Sequence, residues 1–479
     1  MGNKEYYPNN RKPTELVGIK EETKMARKIR AFAPLTSSKL LEAAFQTSEW
    51  ISKYEKISEC GMCWDVKPGY EVPEGSLLLD NRSLYSGAAG IALFYLRLYL
   101  VTKDKNYIEK AKAGIDYVIS QYKGVKEFEY IEAPMEGCKI GHLNGPTGGA
   151  YVAELLYENT GLTQYRDYAI AVTEDLISSA RDVDGGLTWT GQYGIIAEGG
   201  LVLYLLYAYI TFQDPRYIAA AEKAGKYIAD RAEEAPGGGY RWYAMPTDTF
   251  PTLGGKPGGY FPGFFYGTAG SAYILASIAK YTDNALFLKL AKGGAEYIQN
   301  IADYSEDGKA ALVRYNDPLA SDLYYLGMCQ GPIGISRLFY ALYENTRNEE
   351  YLDFAIKLTN GILETGAPAV HTPGYWRTYS YCCGAAGMLE HFISIYRLTN
   401  DDKYLDAAYD AADTLIGESY IDEAGRRWYT AWNRHEPHTA EAFTGLYLGS
   451  AGVAASFLAL YQLIENGQIL PGYVENPYH

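Results

Sequence analysis

The apolar positions of this chain fall into a long repeat. A Gly-x-x-Gly followed by an apolar stretch occurs as GAAGIALFYLRLY from Gly87, GPTGGAYVAELLY from Gly145 and GTAGSAYILASIA from Gly267. It returns as GPIGISRLFYALY from Gly331, GAAGMLEHFISIY from Gly384 and GSAGVAASFLALY from Gly449, with a degenerate copy, AEGGLVLYLLYAY, from Ala197. Successive copies start 52 to 70 residues apart. A second marker keeps the same register. Twenty residues after each of the first six starts stands an aromatic: Tyr107, Tyr165, Tyr217, Phe287, Tyr351 and Tyr404. Four residues later comes alanine: Ala111, Ala169, Ala221, Ala291, Ala355 and Ala408.

Each stretch after Gly-x-x-Gly is apolar nearly all round, which predicts a buried helix. A polar turn follows, such as VTKDKN or RLTNDDK, and then a more amphipathic helix, such as YIEKAKAGIDYVISQY. Each unit therefore reads as a helical hairpin. The leading glycines permit close packing and leave backbone N–H groups exposed. Seven such hairpins predict an all-α fold, an α/α toroid or double barrel, with Gly-x-x-Gly at the start of every inner helix. An open solenoid needs polar capping repeats, whereas the last inner segment, VAASFLALYQLI, is as apolar as the others. Closure puts all seven glycine motifs on one face, around a central cavity. Residues 1–80 read as an N-terminal helical extension and residues 81–479 as one seven-repeat domain.

Composition changes this picture in three places. A chain of 479 residues would ordinarily divide into two or three domains, but a repeat can grow as one unit. With 43 basic against 58 acidic residues the net charge is −15, which excludes a broad basic face for nucleic acid and leaves room for a basic peptide. The N-terminal MGNKEYYPNNRKPTELVG has no apolar core of a signal peptide, and no apolar run is long enough to span a membrane. Six cysteines in so long a chain are not a disulfide scaffold. The expectation is a reduced, cytoplasmic protein, in which clustered cysteines point to metal or catalysis.

The cysteines do cluster, once the repeat register is applied. Cys329 in GMCQGPIG lies two residues before Gly331. Cys382 in SYCCGAAG lies two before Gly384, and Cys383 one before. These are successive repeats, so three sulfurs converge at the cavity mouth. Thiolates suit Zn²⁺, and three protein ligands with an open fourth position describe a catalytic zinc. The competing reading is that small cysteines fill a crowded turn. Cys60 and Cys63 form a lone CxxC without a second pair or a βαβ context, a weak signal for redox or metal chemistry.

With GMCQGPIG followed by YCCGAAG, the chain resembles the lanthionine synthetase C-like family, the cyclases of lanthipeptide biosynthesis and their relatives. The likeness runs over about residues 80–465. It implies that Cys329, Cys382 and Cys383 are zinc ligands, with Cys383 standing where the family more often has histidine. The implied activity is thioether formation, in which a peptide cysteine adds as thiolate to a dehydroalanine or dehydrobutyrine. The implied substrate is a precursor peptide carrying cysteine and dehydrated Ser or Thr, with a dehydratase as the candidate partner. Four family residues are replaced. The catalytic histidine becomes Tyr266, an aspartate becomes Tyr193, an arginine becomes Tyr325 and a tyrosine becomes Gln330. The enolate still needs a proton donor. The candidates are Tyr266 and the loop histidines His371, His435 and His438.

Two other functions remain in view. A non-catalytic zinc protein holding a peptide or a small thiol such as glutathione would need no acid–base set. A carbohydrate-active α/α toroid would use loop carboxylates such as Asp182, Asp184, Asp322 or Glu436. It could also use the return-loop tryptophans Trp189, Trp242, Trp376, Trp428 and Trp432 as a sugar platform. Such an enzyme has no need of three aligned cysteines.

Overall fold

A computed structural model describes residues 35–69, 80–125, 139–243, 260–315, 323–431, 436 and 438–477. A first helix, α1 (Ser37–Ser52), precedes six hairpins. These are α2 (Ala88–Thr102) with α3 (Lys105–Ser120), α4 (Pro146–Thr160) with α5 (Thr163–Ser179), and α6 (Glu198–Phe212) with α7 (Pro215–Ala229). They continue as α8 (Thr268–Thr282) with α9 (Ala285–Ile301), α10 (Pro332–Thr346) with α11 (Glu349–Thr365), and α12 (Ala385–Thr399) with α13 (Asp402–Gly417). A last inner helix, α14 (Ser450–Asn466), follows.

The turn chemistry explains the hairpins. Each inner helix ends on a residue with positive φ: Lys103, Gly161, Gln213, Asp283, Arg347, Asn400 and Gly467. That left-handed residue stops the helix. In five hairpins the next residue, Asp104, Asp214, Asn284, Asn348 or Asp401, caps the outer helix by accepting a backbone N–H. The alanines of the second marker, Ala111 through Ala408, are all fully buried. A methyl group at that point lets the outer helix lie close on the inner one.

The inner helices form a closed ring. Each packs on the next, and α14 packs on α2. Within α2 every residue from Ala88 to Leu98 is buried, as expected for a helix enclosed on all sides. The seventh hairpin is completed from the other end of the chain, because α1 lies against α14 in the place of a seventh outer helix. The toroid expected from the repeat is therefore the observed architecture.

The return loops contain short two-stranded hairpins, such as Arg181–Val183 with Gly186–Thr188 and Tyr420–Asp422 with Gly425–Arg427. Their tryptophans are locks. Trp189, Trp242 and Trp428 are buried, and each indole N–H donates to a carbonyl of the preceding outer helix: Leu176, Ile228 and Leu415. These three are not free to stack on a sugar, which corrects one use suggested for them. Trp432 and Asp322 lie outside the described residues.

A backbone chain ties the glycine-motif ends together. Tyr85 N–H donates to Leu143 C=O (2.8 Å), and Ile196 N–H to Phe265 C=O (3.1 Å). Phe265 N–H donates to Cys329 C=O (2.7 Å), Cys329 to Cys382 (3.3 Å), Cys382 to Tyr447 (2.9 Å) and Tyr447 to Tyr85 (2.8 Å). The glycines make room for this rim. A Cβ on Gly334 would lie 2.1 Å from the Met328 carbonyl oxygen.

Beyond α14 the chain doubles back into the ring. Tyr473 and Asn476 pair across a tight turn, and Leu470, Tyr473, Glu475 and Asn476 are buried. Arg97 of α2 donates to Pro471 C=O and Tyr151 of α4 to Gly472 C=O. No described helix is long and apolar enough to cross a membrane.

Candidate metal centre

Cys329 and Cys382 occupy equivalent places in the rim, joined by the backbone bond between them, and Cys383 follows directly. Their three sulfurs lie within 4.8 Å of one another, with Cys329 and Cys383 at 3.9 Å. A disulfide would need about 2.05 Å, and all three are free thiols. Three sulfurs bound tetrahedrally to one Zn²⁺ at about 2.3 Å would sit about 3.8 Å apart. The donor set therefore fits a zinc ion in type, number and spacing. Cys382 is buried and the other two are half-buried. Among the thiols themselves, burial pushes Cys329 and Cys382 up, while hydrogen bonds from both pull Cys383 down. Such a cluster favours a shared positive partner.

Aromatic side chains enclose the sulfurs. The Tyr325 hydroxyl lies 3.1 Å from Cys329 Sγ. Its ring packs on Tyr315 at 5.9 Å and on Trp376 at 5.6 Å. The Tyr315 hydroxyl meets the Tyr266 hydroxyl at 3.1 Å. Burial first, and then the neighbouring Tyr315 and cysteines, push Tyr266 well above the ordinary tyrosine range. Tyr85, on the α2 side of the rim, is raised by burial and then by Cys382 and Cys383. At neutral pH these phenols are protonated and serve as donors. Gln330 is buried beside Cys329, and neither end of its amide has a hydrogen-bond partner.

The remaining sequence candidates separate. Tyr266 is joined to the cysteine cluster through Tyr315 and Tyr325. His371 is exposed and rests edge-on against Tyr375 at 5.3 Å. His438 is exposed, and His435 and Cys138 lie outside the described residues. Tyr193 bonds the Tyr243 carbonyl. Asp182 caps its own hairpin by accepting Gly185 N–H, and Glu436 is exposed. Cys60 is exposed at a hairpin turn (Glu55–Ser58 with Gly61–Trp64), while Cys63 is buried. Sequence reasoning missed Tyr85 and Tyr315. Tyr85 had a usable signal, because it stands two residues before Gly87, the same offset as Cys329 and Cys382.

Comparison with known proteins bears on the fold and the family. The family profile "Lanthionine synthetase C-like protein" matches residues 79–471. A curated relative, "Glutathione S-transferase LANCL1" from Danio rerio, is 22% identical over 386 residues, 77% of this chain and 79% of that one. The solved structure titled "Nisin cyclase" superposes with a TM-score of 0.57 at 16% identity, covering 82% of this chain and 90% of that one. At that identity the structural likeness establishes the toroid. The profile spans most of the chain and all seven glycine motifs, and the chain belongs to the lanthionine synthetase C-like family.

Proposed function

We propose that this chain is a zinc-dependent cyclase that joins a peptide cysteine to a dehydroalanine or dehydrobutyrine, forming a thioether ring. The observation that carries this reading is the convergence of the Cys329, Cys382 and Cys383 sulfurs within 4.8 Å at the rim of the toroid. These three residues would hold Zn²⁺. When bound, the ion supplies Lewis acidity that lowers the pKa of a thiol entering the site.

The chain's own residues supply the rest. The collar of Tyr85, Tyr266, Tyr315, Tyr325 and Trp376 excludes water from the reacting sulfur. With zinc bound, the Tyr325 hydroxyl beside Cys329 Sγ would donate to the thiolate and steady its negative charge. In the addition, the substrate sulfur bonds the β-carbon of the dehydro residue, and the double-bond electrons pass toward its carbonyl. The α-carbon then takes a proton, which we assign to the Tyr266 hydroxyl, replenished through Tyr315. Tyr266 would thus stand in for the family's histidine. His371, His435 and His438 are the secondary candidates. The substrate's dehydro residue comes from Ser or Thr, so a dehydratase must act first. The reaction suits the cytoplasm, where thiols stay reduced.

A second reading replaces the peptide thiol with glutathione. Two observations favour it: the glutathione transferase activity in the name of the Danio rerio relative, and the replacement of four family residues in this chain. One experiment separates the two. A dehydrated, cysteine-containing peptide incubated with the protein should lose its free thiol without a change in mass. With glutathione present, a peptide that gains the mass of one glutathione while its own thiol survives would instead support the transferase. Neither change would sink both.

A further inference from the structure

Directly beneath the cysteine rim lies the turn formed by residues 473–476. Glu475 Oε1 accepts the Tyr447 hydroxyl at 2.6 Å and lies 3.6 Å from Arg337 Nη1. Arg337 in turn donates to the Tyr381 hydroxyl at 3.0 Å. The Tyr473 ring packs on Tyr381 at 4.5 Å and on Tyr447 at 5.5 Å. Tyr381 and Tyr447 are two of the residues that set Cys382 in place. Tyr381 precedes it in the chain, and the Tyr447 carbonyl accepts its N–H at 2.9 Å.

Glu475 and Arg337 are each about as buried as a residue can be, at 2% and 3% exposure. An ion pair so placed is costly to break, because the surviving charge is left without a partner. The repeat itself does not require the pair, since no counterpart of Glu475 exists in the helical hairpins. It comes from a segment outside the seven units, which also bonds Arg97 and Tyr151 through its backbone carbonyls, and Glu475 itself meets Tyr447 of the seventh motif and Arg337.

We propose that the segment 470–477 is part of the metal site: a floor whose Glu475 and Tyr473 position Cys382 through Tyr447 and Tyr381. Glu475 and Tyr473 are positioning residues. They touch neither the metal nor the substrate, and they fix the spacing of the sulfurs before a metal arrives. A preformed site binds more tightly than one that must be gathered.

This inference rests on the cysteines holding a metal, and the experiment keeps the two claims apart. Zinc affinity is measured by chelator competition, and the thiolate-to-cobalt charge-transfer band is recorded after Co²⁺ substitution. The proteins compared are the unaltered chain, Glu475→Gln, Tyr473→Leu and Glu154→Gln. Glu154 is fully buried, pairs with Arg166 between α4 and α5, and serves as the control for a lost buried ion pair. The expected result is about a tenfold loss of zinc affinity in Glu475→Gln and Tyr473→Leu, with a weakened or shifted cobalt band. Glu154→Gln should lose thermal stability and keep both metal readouts. The floor is overturned if Glu475→Gln and Tyr473→Leu bind zinc and cobalt like the unaltered chain, whatever their stability. A chain that takes up neither metal before any substitution removes the metal reading first and this inference with it.

Discussion

Two parts of the rim do the same backbone work with different side chains. Two residues before the glycine, the first, fourth and seventh motifs carry Tyr85, Phe265 and Tyr447, while the fifth and sixth carry Cys329 and Cys382. The N–H and C=O groups of all five positions belong to one hydrogen-bond chain around the mouth. Large rings are accommodated there, so the fold does not demand a small residue. The view of the cysteines as fillers of a crowded turn loses its main support. What distinguishes the fifth and sixth motifs is sulfur, and the difference separates a structural role shared by the rim from the chemical role proposed for one arc of it.

The comparison breaks most visibly if the two roles are exchanged by mutation. Cys382→Ala keeps the N–H that bonds Tyr447 and should leave the ring folded. Thioether formation should fall on the order of a thousandfold or more, checked by mass spectrometry of thiol-labelled peptide. Phe265→Ala, at the equivalent position, should do the reverse. It should cost about 3–5 kcal/mol of stability in a urea titration and leave the metal content unchanged.

A second pair of variants tests the claim that glycine builds the rim. Gly334→Ala would press a methyl group onto the Met328 carbonyl and the Phe264 side chain, at 2.1 and 2.5 Å. A loss of more than about 3 kcal/mol is expected. Gly417→Ala, where nothing lies within 4 Å, should change stability by less than about 0.5 kcal/mol. Equal effects at the two sites would contradict the packing argument.

Within the cysteine arc, Tyr266→Phe sharpens the division between holding metal and moving a proton. Zinc content should stay unchanged, and the cyclisation rate should fall about a hundredfold. Loss of zinc in this variant would instead place Tyr266 among the groups that build the site.

Acid tests two buried histidines that take no part in the sulfur chemistry. His142, next to rim residue Leu143, and His391 in α12 are buried, and desolvation pushes both pKa values down to about 3. Their unfolded value is about 6.5. Between those values the unfolded chain binds a proton that the folded chain refuses, so stability falls as pH falls. From pH 6.5 to 5 each histidine removes at most about 2 kcal/mol. Urea unfolding at pH 7 and pH 5 measures the loss. His391→Gln should remove its own share of it, leaving that of His142.

The architecture was legible because glycine, aromatic and alanine recur at fixed offsets, and the cysteine pair was legible for the same reason. What escaped the sequence has no period. The place of α1 beside α14 joins segments some 400 residues apart in the chain, and no repeat marker announces it. Arg97, Arg337 and Glu390 sit inside apolar runs, and nothing in the spacing names their partners. In the folded ring they turn inward, where Glu390 pairs with Arg97 and Glu475 with Arg337. The tryptophans show the limit in the other direction. Their regular place in return loops suggested a binding surface, whereas the spacing of 13 or 14 residues back to an outer-helix carbonyl serves packing. Tyr325 was visible only as a replacement of a family arginine. Its contact with Cys329 depends on the turn that folds it back over the sulfur.

The central claim is that the fifth and sixth motifs hold a metal ion, and elemental analysis of the purified protein tests it most directly. About one equivalent of zinc per chain is expected, falling to a small fraction in Cys329→Ala. Less than about half an equivalent, unchanged by that substitution, would contradict the account.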